Sequence, residues 1–216
     1  MSNFNIDFIL EKLSKERPIF HSEDDFKFSL AWIIKREYPQ TKIRLEYTLD
    51  FDRSIHIDIV VILDGQLIPI ELKYKTKELD LTLGAERYIL KNQQATNLGC
   101  YNFIKDIKRI EEFKEKEMSN FKEGYAIFLT NSLIYEKGTT KSSYYYEFAI
   151  NEGNIKKLKL VYGECKYKAI ELTGEYTCKW KDYFDICKDD SKYKIFMDDT
   201  KYKNAKKFKY LAIKIE

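Results

Sequence analysis

The stretch that decides the fold is IHIDIVVILDGQLIPIELKYK, residues 55–75. Two β-branched, apolar runs, 55–63 and 67–73, flank Asp64-Gly65, a dipeptide that accepts the positive φ angles of a two-residue hairpin turn. In such a turn Leu63 faces Gln66, paired residue numbers sum to 129, and the register sets Asp58 opposite Glu71 and His56 opposite Lys73. Opposed residues, and residues two apart on a strand, share a face. Asp58, Glu71 and Lys73 therefore emerge together, with Val60, Ile62, Leu67 and Pro69 behind them, while Ile57, Ile59, Val61, Ile68, Ile70 and Leu72 form the other face. Pro69 cannot donate to a ladder, so a bulge or an unpaired neighbour is expected there.

Two carboxylates opposed across a strand pair and surrounded by apolar residues repel each other and lose hydration. A cation removes that cost. Lys73 supplies one charge, and a divalent ion held by oxygen ligands, Mg²⁺ or Mn²⁺, supplies two. An ordinary surface ion-pair cluster at a solvent-facing strand end is the competing reading.

Upstream, residues 4–14 form a short amphipathic helix, and SEDDFKFSLAWIIKREY, about 22–38, forms a stronger one that stops before Pro39. Ser22 is its expected N-cap with Asp25 three residues on, and Phe26, Leu30, Ile33 and Ile34 mark its buried stripe. Glu23 leads that stripe and is expected to project toward the sheet, although an acid at a helix N-terminus also favours the helix dipole. Residues 43–49 read as a strand, and LDLTL-GAE-RYIL, 79–90, as a second hairpin that can overhang the Glu71–Lys73 face. A long helix at about 92–117 leads to the buried strand GYAIFLT, 124–130, parallel to an earlier strand because a helix separates them. Strands are further expected at 143–150, 167–176 and 207–215. This order predicts a mixed α/β chain with one central sheet flanked by helices, α-β-β-β-α-β with extra C-terminal strands.

Composition bounds the function. With 44% hydrophobic and 34% charged residues and only 3 Pro and 8 Gly in 216, the chain is neither collagenous nor of low complexity and can build a core. It contains no apolar run near the ~20 residues of a membrane span, and its start lacks a signal-peptide core, so a soluble cytoplasmic protein of one domain is expected. The cysteines, at 100, 165, 178 and 187, form no CxxC pair and are expected as buried free thiols. With only His21 and His56, a His-rich zinc site lacks ligands. Net charge is +3, but the segment from Asn154 onward carries a local excess of six positive charges, able to meet phosphates or simply to solvate a surface. The 17 Tyr and 14 Phe, Tyr144–Tyr146 among them, can stack on unpaired bases, but strand alternation assigns them to packing.

Asp58 on one strand and Glu71-Leu72-Lys73 on the next, preceded by a helix bearing Glu23, resemble the PD-(D/E)XK nuclease superfamily, the restriction-endonuclease-like fold. The blocks FHSEDDFKFSLAWIIKREYP (20–39), IHIDIVV (55–61), IELKYKTK (70–77), NQQATNLGCYNFIKDIKRIE (92–111) and GYAIFLTN (124–131) look like an uncharacterised bacterial branch of it. They cover a core of about 20–131, leaving a β-rich extension of about 140–216, and Ile57 stands where the literal motif has proline.

The resemblance implies metal-dependent phosphodiester hydrolysis of nucleic acid, most of all DNA, in defence, mobile-element biology or repair. Asp58, Glu71 and the Leu72 carbonyl would bind Mg²⁺ or Mn²⁺, with Glu23 acting directly or through a water. Lys73 would position or deprotonate the attacking water or offset negative charge, and Gln93 or Gln94 occupies the place of a polar active-site helix residue. Lys75, Lys77 and Arg87 near the second hairpin, and Lys105, Lys108 and Arg109 on the long helix, are the candidates for gripping nucleic acid, with a homodimer as a further expectation. The alternatives are a non-catalytic nucleic-acid-binding or protein-interaction module on the same fold, and an RNA-cleaving toxin or structure-specific resolvase.

Overall fold

Asp64 (φ 52°) and Gly65 (φ 80°) both take the left-handed backbone of the expected turn and join β2 (Asp52–Leu63) to an antiparallel β3 (Gln66–Lys75). Leu63 faces Gln66, Val61 faces Ile68 and Ile59 faces Ile70, the register read from the sequence. Pro69 sits opposite Val60 with no shift of register, so of the two expectations the bulge is absent and the unpaired neighbour holds. Alternation explains this. The Pro69 nitrogen points away from β2, toward β6 (Gly124–Thr130), whose ladder with β3 begins only at Ile70–Tyr125, so no donor is missed there.

A computed structural model describes residues 4–49, 52–93, 95–161, 167–188, 195–197 and 201–216. Its architecture is mixed α/β, with a central mixed sheet flanked by helices. The sheet has six strands in the order β1 (Lys42–Leu49), β2, β3, β6, β11 (Lys207–Ile215) and β9 (Trp180–Asp185). Only β3 and β6 are parallel, joined by the crossover helix α3 (Thr96–Lys116). The helix starts later than its apolar pattern suggested. Gln93 spends its backbone N–H and its side chain on Thr76, and Ala95 (φ 65°) turns the chain before the first helical residue.

One face of the sheet is covered by α1 (Ile6–Glu16) and α2 (Glu23–Glu37), with Ile9, Leu10, Phe26 and Leu30 buried against Ile59, Ile70 and Ile127. The second hairpin, β4 (Leu79–Leu83) and β5 (Glu86–Leu90), belongs to this same core through Leu79, Leu81 and Tyr88. It therefore does not overhang the face of Glu71 and Lys73, because its apolar side is spent beside α1 and α2. Its turn is the two-residue Gly84-Ala85, with Leu83 facing Glu86, and β10 (Ile195–Met197) pairs with β4.

The opposite face carries α3, with Phe103 and Ile107 packed on Ala126, Phe128 and Ile213. β7 (Ile155–Leu160) and β8 (Ile170–Thr177) form a separate two-stranded sheet whose Leu160 and Leu172 join that core. The strand expected at 143–150 is absent. Tyr146–Phe148 form a short 3₁₀ turn instead, which leads into the buried Ala149 and Ile150. Cys100 and Cys178 are buried free thiols, Cys187 is exposed rather than buried, and Cys165 lies outside the described residues. No helix among the described residues is long and apolar enough to cross a membrane.

Candidate active site where the hairpin strands part

Beyond Ile59–Ile70 the strands of the hairpin separate, so the Asp58–Glu71 pair of the simple register does not form. His56 faces Thr48 of β1 and not Lys73. Alternate N–H groups of a strand point to one edge, and on β3 those of Leu72 and Tyr74 are left facing the gap. Side chains close it. The Leu72 N–H donates to Asp58 Oδ2 at 2.8 Å, and the Tyr74 N–H donates to Glu23 Oε2 at 2.7 Å.

The local cause lies in β1. Leu45 faces Ile59 and Tyr47 faces Ile57, but Glu46 and Asp58 drop out of the ladder, and Glu46 holds a left-handed φ of 49°. Such backbone in a non-glycine residue costs on the order of 1–3 kcal/mol and concentrates at functional sites. The kink aims Asp58 into the plane of the sheet. Ile57 accordingly packs with Val60 and Phe113 instead of sharing a core with Ile59 and Val61.

Glu23 arrives from the first turn of α2, which is fixed at its start by the Ser22 hydroxyl accepting the Asp25 N–H at 3.1 Å. The Tyr74 hydroxyl donates to the Phe20 carbonyl at 3.0 Å, tethering this helix entrance to β3. One turn after Glu23, Lys27 places its ammonium 2.8 Å from Asp24 and 3.9 Å from Asp58, and it also pairs with Glu46.

Glu71 and Lys73 face α3. Glu71 is 1% exposed and accepts a bond from Arg109 Nη1 at 2.7 Å. Lys73 reaches Asp106, itself 2% exposed, at 2.8 Å and donates to the Leu72 carbonyl at 2.9 Å. Arg109 lies 3.5 Å from Asp106 as well, so two acids and two bases interlock.

Burial, with Asp106 and Asp58 adding repulsion against the pull of Arg109, holds the Glu71 carboxyl well above the usual carboxylate range. Burial likewise pushes Asp106 up to about 6 although Lys73 and Arg109 oppose it. For Lys73, burial favours the neutral amine, but Asp106 and Glu23 outweigh it and raise the ammonium pKa. Lys73 is therefore a fixed positive charge at neutral pH and not a ready proton acceptor.

Glu23, Asp58, Glu71, Lys73 and Arg109 thus meet around one end of β3. Asp106 and Lys27 were not read from the sequence. Asp106 falls inside the apolar stripe Phe103–Ile107–Ile110, and a charged residue within a buried stripe is the signal that would have found it. Gln93 stands apart, bonded to Thr76 beside Lys77, and Gln94 lies outside the described residues. Lys75 ends β3, Lys77 is exposed and bonded through its backbone to Asn131, and Arg87 is exposed and paired with Asp80, away from α3. Lys105 is exposed on α3, and Lys108 lies 3.6 Å from Glu111.

By donor chemistry these carboxylates suit a hard dication, since they are oxygen ligands whose burial and mutual repulsion leave Glu71 and Asp106 reluctant to ionise. As they stand, backbone N–H groups and Arg109 already engage them. Among the described residues no group of three or more His, Cys, Asp and Glu side chains is gathered as a metal-holding cluster. No protein-family model, curated protein or solved structure matches the chain.

Proposed function

We propose that the chain is a metal-dependent nuclease of the restriction-endonuclease-like fold, hydrolysing phosphodiester bonds of nucleic acid, DNA above all. The observation that carries this reading is the pair of carboxylates, Asp58 and Glu23, bound to successive free N–H groups of β3 on either side of Lys73 and next to Glu71. An ordinary sheet would continue its ladder there. This one stops, and acids gather around a half-buried lysine.

Asp58, Glu71 and the Leu72 carbonyl would hold Mg²⁺ or Mn²⁺, and Glu23 would do so through its second oxygen or a water. The Leu72 carbonyl retains a lone pair beside its bond from Lys73. Such an ion lowers the pKa of a bound water and offsets charge growing on phosphoryl oxygens. Lys73, kept protonated by Asp106 and Glu23, contributes a positive charge toward those oxygens. Asp106 orients Lys73, and Arg109 balances Glu71.

A non-catalytic nucleic-acid-binding module is the second reading, favoured by the protein cations and N–H groups that already neutralise the acids. Incubation with supercoiled, linear and single-stranded DNA and with RNA, in Mg²⁺ or Mn²⁺ against EDTA, separates the two. Metal-dependent cleavage of at least one substrate is expected, and no cleavage of any overturns the enzyme.

A further inference from the structure

Beside the carboxylates, a groove of about 820 Å³ runs between α3 and β8. Tyr101, Lys105 and Lys108 line it from α3 at helical spacing, and Lys168 lines it from the chain leading into β8. Arg109 belongs to both places, lining the groove and touching Glu71 at 2.7 Å, so the groove opens directly onto the site.

The two walls are locked together before any ligand arrives. The Tyr101 hydroxyl donates to the Lys168 carbonyl at 3.0 Å. Buried Glu111 accepts the N–H groups of Thr173 and Gly174 and the Tyr176 hydroxyl, all between 2.8 and 3.0 Å, which fastens β8 to α3. The lining stays net positive despite Glu112 and Glu171, and Lys105 and Lys168 form no ion pair among the described residues. Two ammonium groups without an ion pair, one on each wall, with Lys108 further along α3 and Arg109 at the Glu71 end, give a run of cations that suits a phosphodiester backbone.

We propose that this α3–β8 groove holds the sugar-phosphate backbone of the nucleic acid next to the bond being cut, with Lys105, Lys108 and Lys168 contacting phosphates. The inference rests on the phosphodiester reading above and assigns the segment leading into β8, outside the nuclease-like core, a direct part in substrate binding.

The test is fluorescence anisotropy in EDTA with one labelled oligonucleotide, as a single strand and as a duplex, over a range of salt concentrations. Lys105→Ala/Lys168→Ala should weaken binding roughly tenfold or more and lower the salt slope by about two phosphate contacts. Lys15→Ala, on α1 across the sheet, should bind as wild type, and both variants should melt as wild type. The form bound more tightly identifies whether the backbone comes from an unpaired strand or a duplex. Unchanged affinity and slope in the double variant, or no binding of either form by wild type, overturns the groove. Cleavage is scored separately in Mg²⁺. Lysine-dependent binding without cleavage supports the groove and sinks the enzyme, whereas cleavage with lysine-independent binding sinks the groove alone.

Discussion

Asp58 Oδ2 accepts the backbone N–H of Leu72 at 2.8 Å, a bond that a neighbouring strand would otherwise make. The carboxylate therefore has a structural task separable from its charge. Asp58→Ala should cost about 1–3 kcal/mol of stability by leaving that N–H unpaired, whereas Asp58→Asn, which keeps an acceptor, should cost about 1 kcal/mol or less and still abolish metal-dependent cleavage. Urea denaturation of both variants checks this, and equal losses in the two would contradict it.

Half-buried Lys73 and buried Asp106 form an ion pair at 2.8 Å. Lys73→Met should lower stability near neutrality by roughly 3–5 kcal/mol, because it strands a buried carboxylate. The loss should shrink as the pH falls and Asp106 takes up a proton. A penalty that is flat between pH 5 and 8 would mean that the pair contributes nothing through charge.

Asp106 titrates near 6 in the folded chain against an ordinary value of 3.8, so the folded state binds its proton more tightly than the unfolded state. Its contribution is complete below pH 3.8 and is lost as the pH rises through about 6. Relative to Asp106→Asn, wild-type stability should therefore decline from pH 4 to pH 7. Parallel stability curves for the two proteins would refute the shift.

A Cβ added at Gly124, the first residue of β6, would collide with Ile110 Cγ2 and lie 3.2 Å from Pro69 Cγ. Gly124→Ala should cost about 1–3 kcal/mol by overpacking the place where α3 crosses the start of the parallel pair. Thermal melting tests this, and an unchanged midpoint would show that Ile110 moves aside freely.

The hairpin was legible because the two-residue Asp64-Gly65 turn by itself sets the register, and that register holds from Leu63 through Ile59. It fails at Asp58 because a left-handed Glu46 in the adjacent strand bends β2, and nothing in the composition of IRLEYTL marks that position. Glu23 was legible as the leading residue of a helical stripe, and it does turn toward the sheet. The counter-ions were harder to read: Asp106 stands out only as a charge inside an apolar stripe, and Arg109 three residues on reads equally well as a solvated partner until the approach of α3 to β3 buries Asp106 and half-buries Arg109. The tyrosine run at 144–146 imitated a strand through its aromatic content, whereas the chain makes a 3₁₀ turn there, with the Phe148 N–H bonded to the Tyr145 carbonyl.

The most direct measurement is the cleavage rate of wild type and Glu71→Gln side by side across a Mg²⁺ titration, on whichever nucleic acid wild type cuts fastest. The glutamine keeps an oxygen for Arg109, so the fold should survive while the ligand charge is lost. Wild type should cut only with metal present, and the variant should be slower by roughly a thousandfold or more. Cleavage by wild type in EDTA, or by Glu71→Gln at the wild-type rate, would contradict the account.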